Sequence, residues 1–256
     1  MSKNQRDLAM ALNTFDLRLE SITDMTPQVK QFAFSRVDGE KLTFIPGQFI
    51  NLYFPGTEKR QQRSYSIASI PGNTDLVEIA IAYVEGGLAS ETLWKMQPGD
   101  VLPAAGPVGR LVLKAEEQPK RYILVGTGTG IAPYRSMLPD LKHRLATDAN
   151  LQVEILFGIR NEMDLFYAED FRAFAASSKQ AGFHVCYSRS APENTAVDEY
   201  NHRVTKQLNH LHPNPLEDIV YLCGNPAMID DAFTALQEKG FDHKNVRREK
   251  YVFSHG

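Results

Sequence analysis

Two segments of the sequence carry residues that could hold the phosphates of a nucleotide. The first, VGTGTGIAPYRSM at 125–137, places glycines at 126, 128 and 130. Glycines let a chain turn tightly, and a helix that follows offers free N–H groups and a positive dipole end to a phosphate. The spacing is G-x-G-x-G, whereas the common dinucleotide fingerprint is G-x-G-x-x-G, whose last position here is Ile131. The loop alone therefore leaves open a nucleotide site and a tight turn with no ligand.

The second segment, RQQRSYSIAS at 60–69, lies upstream. In a strand, Arg63 and Tyr65 would share one face, because side chains alternate. There an arginine can pair with a phosphate and a tyrosine can lie against a flat ring, whereas Ser66 would face the other way unless the strand bends. If nothing else matched, an exposed polar strand with a structural tyrosine would be the simpler interpretation.

A further feature supports the phosphate interpretation. The apolar segment VEIAIAYV at 77–84 leads into EGGLASETLWKM, where Gly87-x-x-Ser90 opens a helix predicted near 90–96. We predict Ser90 as its N-cap, since a serine there can accept from the free N–H groups of the first turn. The chain could therefore hold two dinucleotides.

The elements that must position these residues differ between the two halves of the chain. From Thr14 to about Leu113, short apolar segments alternate with turn sequences. This pattern predicts an antiparallel sheet closed into a barrel, with strands in TFDLRLESI, QFAFSR, QFINLYF, LVEIAIAYV and RLVLK. After KAEEQPK at 114–120, the strand-like segments YILV, VEILF, FHVCY and DIVYLC alternate with amphipathic segments near 133–145, 166–178, 204–211 and 226–239. The second half is therefore predicted to be a doubly wound α/β domain, and we place the two domains at 1–116 and 117–256.

Composition argues against several classes of function. The formal charge of -3 over 256 residues gives no electrostatic reason to expect nucleic acid as a partner. The longest apolar runs are far shorter than the roughly 20 residues that cross a bilayer, and the N-terminal residues lack a signal-like apolar core. We therefore expect no membrane association and a cytoplasmic location. With only Cys186 and Cys223, the chain cannot build a four-cysteine iron–sulfur cluster, and we predict no metal site.

Five motifs occur in a fixed order along the chain. They are RSYS at 63–66, GLASETL at 87–93, PGD at 98–100, GTGTGIAP at 126–133 and CGNPAM at 223–228. In this order they resemble the ferredoxin–NADP(+) reductase superfamily, and in particular bacterial ferredoxin/flavodoxin–NADP reductases, over roughly residues 15–253. The resemblance implies an all-β antiparallel Greek-key barrel that binds FAD, followed by an α/β domain with a doubly wound parallel sheet that binds NADP(H).

The resemblance also implies roles in FAD binding. Arg63 would pair with the FAD pyrophosphate, Tyr65 would pack against the isoalloxazine ring, and Ser66 would hydrogen-bond near flavin N5. The remaining FAD contacts are expected from Ser64, Ile81, Ala82, Tyr83, Gly87, Leu88, Ala89 and Ser90.

On the nicotinamide side, Thr129 would hold the dinucleotide, with neighbours at Gly128, Gly130, Pro133, Gly224, Asn225 and Met228. Cys223 would lie against the nicotinamide; without its motif, a small buried hydrophobic residue would be the simpler interpretation. Glu249 would lie near the active centre, and Tyr251 would stack on the flavin face that nicotinamide must occupy. Five residues follow Tyr251, so Phe253 stays an alternative stacking ring. The catalytic group implied by the resemblance is Ser66, Cys223, Glu249 and Tyr251.

Residues after two predicted strands bear on the choice of nucleotide. Arg160 follows one strand and Ser188 and Arg189 follow the next, with no immediate acid that could bind a ribose 2′-hydroxyl. Either arginine could bind a 2′-phosphate, which favours NADPH and leaves NADH open. A basic cluster could receive an acidic protein, or it could be an ordinary solvated face; its members are Lys59, Arg60, His243, Lys244, Arg247, Arg248 and Lys250.

The predicted function is that of an FAD-dependent oxidoreductase. It would pass electrons between NADPH, as hydride to flavin N5, and a one-electron carrier, ferredoxin or flavodoxin. The alternatives are an NADH-dependent reductase component of an oxygenase system and a non-catalytic flavin-binding regulatory module. The sequence leaves open the electron acceptor, the direction of flow and the oligomeric state.

Overall fold

The computed structural model of the chain describes residues 13–55 and 61–251. These residues form two six-stranded sheets. The first sheet in the chain is antiparallel and the second is parallel, so the predicted order of fold classes is confirmed. We call the two parts the barrel half and the parallel-sheet half.

The antiparallel sheet forms a barrel. Its strands are β1 (Thr14–Thr26), β2 (Val29–Arg36), β3 (Phe49–Phe54), β4 (Gln61–Ser66), β5 (Val77–Ala82) and β6 (Val101–Val108). They pair in the order β4-β3-β6-β1-β2-β5, and a bridge between Ile67 and Ile79 brings the two edge strands together. Every second side chain of a strand points to the same face, so alternating apolar residues such as Leu17 and Leu19 fill the interior.

One predicted strand of the barrel is wrong. RLVLK at 110–114 forms no strand, and the sixth strand is instead β6, which contains Pro103 and Pro107. Prolines lack an N–H group and are rare inside sheets, so the usual strand pattern is interrupted there. Leu111 and Leu113 are nevertheless buried, because they pack into the apolar core of the parallel-sheet half.

Helix α1 (Leu88–Lys95) follows β5 and begins earlier than predicted. Its N-cap is Gly87, so the prediction of Ser90 as the N-cap is wrong. Ser90 lies in the first turn, and its Oγ accepts a hydrogen bond from the N–H of Val84 at 3.1 Å. The serine therefore ties the helix to the segment after β5, and no side chain caps the N–H groups at the start of the helix.

The second half is a doubly wound α/β structure, as predicted. Its parallel strands are β7 (Arg121–Thr127), β8 (Gln152–Ile159), β9 (Ala181–Tyr187), β10 (Glu199–Tyr200), β11 (Asp218–Gly224) and β12 (Val246–Lys250). Its helices are α2 (Ala132–Thr147), α3 (Ala168–Ala176), α4 (Val204–His210) and α5 (Pro226–Glu238). Residues of α2 and α3 pack on one face of the sheet, and residues of α4 and α5 pack on the other. Within the described part of the chain, no helix has the length and apolar character needed to span a membrane.

The strand order of this sheet is β10-β9-β8-β7-β11-β12. The chain therefore winds outward from β7 in one direction and then returns to start again at β11. Open α/β sheets bind ligands at the carboxyl ends of their strands, at such a switch point. Here that point lies between the glycine loop after β7 and the segment after β11.

The two halves share an apolar core. Val29, Ala68 and Ala80 of the barrel half belong to the same buried cluster as the apolar side chains of α2. Beside that cluster, Ser136 of α2 accepts a hydrogen bond from the N–H of Gly47 at 3.0 Å. The barrel is thus in direct contact with the beginning of α2, which follows the glycine loop.

Candidate active site

A cavity of about 460 Å³ opens between the barrel and the parallel sheet. The barrel contributes the end of β4, the end of β5 and the first turn of α1. The other half contributes Thr129 and Ala132 from the glycine loop and Glu249, Lys250 and Tyr251 from the end of β12. The cavity therefore lies beside the switch point, and most of the residues that the motifs singled out meet there.

The strand β4 lines the cavity with neighbouring side chains, contrary to simple alternation. Arg63, Tyr65 and Ser66 all lie on its wall. The strand ends at Ser66, and the next residue, Ile67, is bridged to Ile79 of β5. Because regular alternation stops there, Ser66 can line the same cavity as Arg63 and Tyr65. Burial raises the pKa of the Tyr65 hydroxyl well above its usual value, so the phenol stays neutral.

Arg63 brings a positive charge to this wall. Its Nη1 donates to the carbonyl of Gln62 at 2.8 Å and its Nη2 donates to Oε1 of Gln61 at 3.1 Å. In the part of the chain that the structure describes, no carboxylate forms an ion pair with it. A guanidinium with only neutral partners at the edge of a cavity is suited to an anionic ligand such as a phosphate.

The first turn of α1 gives the same wall a second group suited to anions. Leu88, Ala89 and Ser90 line the cavity, and the N-cap Gly87 has no side chain that could accept from their N–H groups. Free N–H groups at a helix start bind phosphates readily. A guanidinium and a free helix start on one wall are together suited to the phosphates of a nucleotide.

Residues of the two sheets meet on the cavity wall. The hydroxyl of Tyr251 lies 2.6 Å from Oγ of Ser66, and the same Oγ donates to Oε1 of Glu249 at 3.1 Å. Because Ser66 has one hydroxyl hydrogen and gives it to Glu249, Tyr251 donates to Ser66. Burial raises the pKa of Glu249, although the hydrogen bond from Ser66 acts in the opposite direction.

Cys223 lies beneath this group and not on the cavity wall. It is fully buried, and strand pairing places it opposite Gly126 of β7 and Glu249 of β12. Burial, together with the neighbouring Glu249, raises the pKa of its thiol well above the usual value. Tyr251 follows β12 and donates its N–H to the carbonyl of Gly224 at 2.9 Å, so the tyrosine lies next to the buried thiol. Cys223 is therefore a neutral thiol in this arrangement.

The unusual spacing of the glycine loop has a packing explanation. A side chain at Gly130 would place its Cβ 2.4 Å from the carbonyl oxygen of Cys223, and one at Gly224 would place it 2.5 Å from the carbonyl oxygen of Thr127. The N–H of Asn225 donates to Oγ1 of Thr127 at 3.0 Å. The backbone after β7 and the backbone at the end of β11 are thus in direct contact. This close approach requires glycine at both 130 and 224.

Gly128 has a different reason to be glycine. Its φ is +52°, a left-handed conformation that favours glycine, and nothing lies within 4 Å of where a Cβ would be. The short turn Gly128–Ile131 that it begins has no side-chain cap and leads directly into α2. Gly128 therefore presents open backbone at the switch point, and Thr129 of the same turn lines the cavity.

Not every predicted site residue reaches the cavity. Ile81 and Ala82 line it, but the ring of Tyr83 lies against Trp94, with 5.3 Å between ring centroids. The side chain of Asn225 caps α5 by accepting from the N–H groups of Ala227 and Met228 at 2.9 and 3.3 Å. Pro133 is buried within α2. Phe253 lies outside the described residues, so Tyr251 is the stacking candidate whose surroundings can be described.

The three residues predicted to choose between nucleotides lie in two adjacent loops. The N–H of Arg189 donates to the carbonyl of Arg160 at 3.0 Å, and Oγ of Ser188 donates to the carbonyl of Ile159 at 3.0 Å. The guanidinium of Arg160 is already paired with Asp164 through two hydrogen bonds at 2.8 and 2.9 Å. Arg189 is exposed and has no carboxylate partner in the described ranges. Its guanidinium is therefore more available to a ligand than that of Arg160.

The predicted basic cluster has fewer unpaired positive charges than the sequence suggested. Arg247 pairs with Glu117, Lys250 pairs with Asp230 at 2.5 Å, and the guanidinium of Arg248 lies 3.6 Å from the ring centroid of Phe233. Each of these three positive charges therefore already interacts with another side chain of the same protein. Lys59 and Arg60 lie outside the described residues. The side chains that the structure describes also form no group of three His, Cys, Asp or Glu residues that could hold a metal ion.

Sequence reasoning missed several residues of the cavity wall. Phe49 lines it because β3 pairs with β4 and sets Phe49 opposite Ser66. Nothing in the local sequence of Phe49 signals this, since the pairing joins distant segments. Ala132 lies inside the GTGIAP motif and could have been named from it.

Comparisons with known proteins agree with this architecture. The family described as oxidoreductase FAD-binding domain matches residues 16–113, and the family described as oxidoreductase NAD-binding domain matches residues 124–233. Ferredoxin--NADP reductase B of Sorangium cellulosum is 33% identical over 242 residues, which cover 93% of this chain and 97% of that protein. The reductase component of propane 2-monooxygenase of Gordonia sp. is 29% identical over 239 residues, covering 92% of this chain and 67% of that protein.

Solved structures share the fold. A ferredoxin NADP+ reductase from Neisseria gonorrhoeae with bound FAD and NADP has a TM-score of 0.79 at 23% identity, covering 94% of this chain and 99% of that one. An Amycolatopsis cytochrome P450 reductase has a TM-score of 0.78 at 24% identity, covering 94% of this chain and 71% of that one.

Proposed function

The chain belongs to the ferredoxin–NADP(+) reductase superfamily, and from this premise we propose that it passes electrons between NADPH and ferredoxin or flavodoxin. As a member of this superfamily, the chain is an oxidoreductase that acts on NAD(P)H and binds FAD. The observation that carries the finer proposal is the meeting of Ser66, Glu249 and Tyr251 in the cavity between the two sheets.

The barrel side of the cavity suits FAD. Arg63 and the first turn of α1 would bind its pyrophosphate, and Tyr65 would lie against its ring system. Ser66 would present its Oγ to the reactive edge of the ring. When bound, FAD supplies the chemistry that joins a two-electron hydride donor to a one-electron acceptor.

The opposite side suits the nicotinamide nucleotide. Gly128 and Thr129 would receive it at the start of α2, where backbone N–H groups favour phosphate. Hydride transfer requires the reacting atoms to approach to about 3–3.5 Å with water excluded. Tyr251 lies on the cavity wall beside Ser66 and next to the buried Cys223. We propose that it occupies the position of nicotinamide, moves aside when nicotinamide binds and thereby uncovers the Cys223 thiol.

Ser66 and Glu249 provide a path for a proton. Oγ of Ser66 already donates to Oε1 of Glu249, and the raised pKa of this carboxyl makes it a better proton acceptor than an exposed glutamate. We propose that Ser66 gives its hydroxyl proton to Glu249 and takes up in its place the proton that reduced FAD would release as electrons pass to the carrier. Both residues would therefore act by holding and moving a proton.

Reconstitution tests the proposal directly. The purified chain would be incubated with FAD, freed of excess cofactor and mixed anaerobically with NADPH or NADH. We expect bound flavin with visible absorbance, rapid bleaching by NADPH, and electron transfer to added ferredoxin or flavodoxin. Failure to retain FAD, or no bleaching by either nucleotide, would contradict the proposal.

A second candidate function has its own support. Relatives named as reductase components of propane 2-monooxygenase match 86–93% of this chain. In that case the physiological donor would be NADH and the acceptor an iron–sulfur protein of an oxygenase. Faster bleaching by NADH than by NADPH, together with failure to reduce ferredoxin and flavodoxin, would favour this candidate.

We also propose that the boundary between the domains lies at 116/117, in the irregular segment between β6 and β7. A cytoplasmic location remains a prediction.

A further inference from the structure

Arg135 connects the two halves of the molecule. It lies in the first turns of α2, three residues after Ala132 of the cavity wall, and its side chain is mostly buried. Its Nη1 donates to the carbonyl of Ala68 at 2.9 Å and to Oε2 of Glu78 at 2.7 Å, both in the barrel half. Its Nε donates to Oδ2 of Asp170 in α3 at 2.6 Å. One guanidinium thus bonds to both halves.

Tyr167 extends this connection. The guanidinium carbon of Arg135 lies 4.4 Å from the centroid of the Tyr167 ring, and the tyrosine hydroxyl donates to Oε1 of Gln31 in β2 at 2.7 Å. Tyr167 has a φ of +58°, which is unfavourable for a bulky side chain and persists only where the surroundings impose it. The arginine, the tyrosine and their barrel partners therefore form one interdomain contact.

The anchor points of this contact lie next to the cavity. Ala68 follows Ser66 by two residues, and Glu78 precedes Ala80 by two residues; Ser66 and Ala80 both line the cavity. On the other side, the helix that carries Arg135 begins at Ala132, which also lines it. A contact that joins these points fixes the distance between the two walls.

The chemistry of the group suits this task. Burial alone would lower the pKa of Arg135, but hydrogen bonds to Asp170 and Glu78 raise it above its usual value, so the charge is permanent. A planar guanidinium can donate in several fixed directions at once, whereas a lysine ammonium is a point charge on a flexible stem. Arginine can therefore hold Ala68, Glu78 and Asp170 together, and lysine cannot reproduce the geometry.

Resting on the proposed function, we propose that Arg135 is a positioning residue for hydride transfer. Through Glu78 and Ala68 it sets the spacing between the barrel wall, which suits FAD, and the wall formed by the glycine loop and α2. Its side chain is absent from the cavity wall, so it would act through these contacts and not by touching FAD there. Because misplacement by about 1 Å can slow an enzymatic step roughly 100-fold, a small loosening there is expected to have a large kinetic effect.

Other contacts should preserve the fold when this one is weakened. Ser136 remains bonded to Gly47, Tyr167 remains bonded to Gln31, and the shared apolar core is unchanged. We therefore choose Arg135→Lys and Glu78→Gln, which keep side-chain length or shape. Arg172→Lys is the matched control, because Arg172 also pairs with two carboxylates, Asp198 and Glu199, but both lie in the parallel-sheet half.

The holoproteins would be compared by anaerobic stopped-flow with saturating NADPH, and by the long-wavelength charge-transfer absorbance formed with NADP+. For Arg135→Lys and Glu78→Gln we expect the limiting rate of flavin bleaching to fall by about 10- to 100-fold. The charge-transfer absorbance should weaken, while FAD content and NADP+ affinity stay within a factor of about three of the unmodified chain, as expected for a residue that contacts neither ligand. Arg172→Lys should behave as the unmodified chain.

Three results would overturn the proposal. They are unchanged bleaching rates in both variants, an equal loss in Arg172→Lys, and loss of FAD from Glu78→Gln, which would make this ion pair part of the flavin site.

A second readout does not depend on turnover. Lys114 and Lys120 are exposed in the segment between β6 and β7, where trypsin can cut. Leu111 and Leu113 anchor that segment in the shared core, so a looser interdomain contact should speed cleavage in Arg135→Lys and Glu78→Gln but not in Arg172→Lys. If the unmodified chain is reduced by neither nucleotide, the proposed function fails. Equal cleavage rates in the unmodified chain and all three variants would separately refute the role of Arg135.

Discussion

The hydroxyl of Tyr251 lies 2.6 Å from Oγ of Ser66, and this contact joins the end of the parallel sheet to the end of a barrel strand. The two residues are 185 positions apart in the chain. Burial is the main cause that raises the pKa of the Tyr251 hydroxyl well above its usual value, and the nearby carboxylate of Glu249 adds to it. The phenol is therefore a neutral hydrogen-bond donor that closes the place where we propose nicotinamide binds.

Replacing Tyr251 should tighten nicotinamide binding. Tyr251→Phe removes the hydrogen bond to Ser66, which contributes about 0.5–1.5 kcal/mol, so the affinity for NADP+ should rise about 2- to 13-fold. Tyr251→Ala should bind tighter still, since no ring has to be displaced. Spectral titration of the bound flavin with NADP+ measures both. Tyr200→Phe, in the edge strand β10, is the control and should leave the affinity for NADP+ unchanged. Unchanged affinity in both Tyr251 variants would show that the ring of Tyr251 does not compete with nicotinamide.

Cys223→Ser should retain FAD but slow hydride transfer about 10-fold or more, because a buried hydroxyl seeks a hydrogen bond and disturbs the surface that nicotinamide would meet. Cys186→Ser is the matched control, because Cys186 is equally buried but lies in the apolar cluster under α4 and α5. Stopped-flow bleaching by NADPH gives the rates. Equal slowing in the two variants would assign the effect to general destabilisation.

Stability should depend on pH through Glu249. Because burial raises its pKa in the folded chain, the folded state holds this proton more tightly than the unfolded chain does, whose glutamate pKa is about 4.3. The contribution of Glu249 to folding stability is therefore fully present below about pH 4.3 and is lost as pH rises through the pKa of this carboxyl in the folded chain. Glu249→Gln should remove this part of the slope in a series of melting temperatures against pH. The exposed Glu193→Gln should keep the original slope, and an unchanged slope in Glu249→Gln would show that this carboxyl is not perturbed.

The choice of nucleotide should depend on Arg189. A hydrogen bond to a charged group contributes about 1.5–3 kcal/mol, so Arg189→Ala should weaken NADPH binding about 13- to 160-fold and leave NADH binding unchanged. Arg160→Ala should have a smaller effect, since that guanidinium is already paired with Asp164. Steady-state kinetics with both nucleotides separates the cases. An equal loss for NADPH and NADH would remove the argument for a 2′-phosphate contact.

Local sequence patterns were sufficient for most elements. Alternating apolar residues predicted the barrel strands, and apolar strands alternating with amphipathic segments predicted the doubly wound sheet, because these patterns follow from side-chain direction along the backbone. They failed in β6, where Pro103 and Pro107 interrupt the strand pattern, and in RLVLK, whose leucines are buried by the other half. They also failed for Ser90, whose hydroxyl bonds to Val84 and not to the start of its helix.

By itself, the sequence determined the two fold classes, their order and the motifs that identify the cofactors, since each depends on residues close together in the chain. Only the tertiary structure decided which of these residues meet. It set Cys223 opposite Glu249, explained Gly130 by the backbone of Cys223, and joined Arg135 to Glu78. Contacts of this kind depend on how two sheets pack against each other. Packing sums many weak interactions between distant segments, so no short stretch of sequence encodes them.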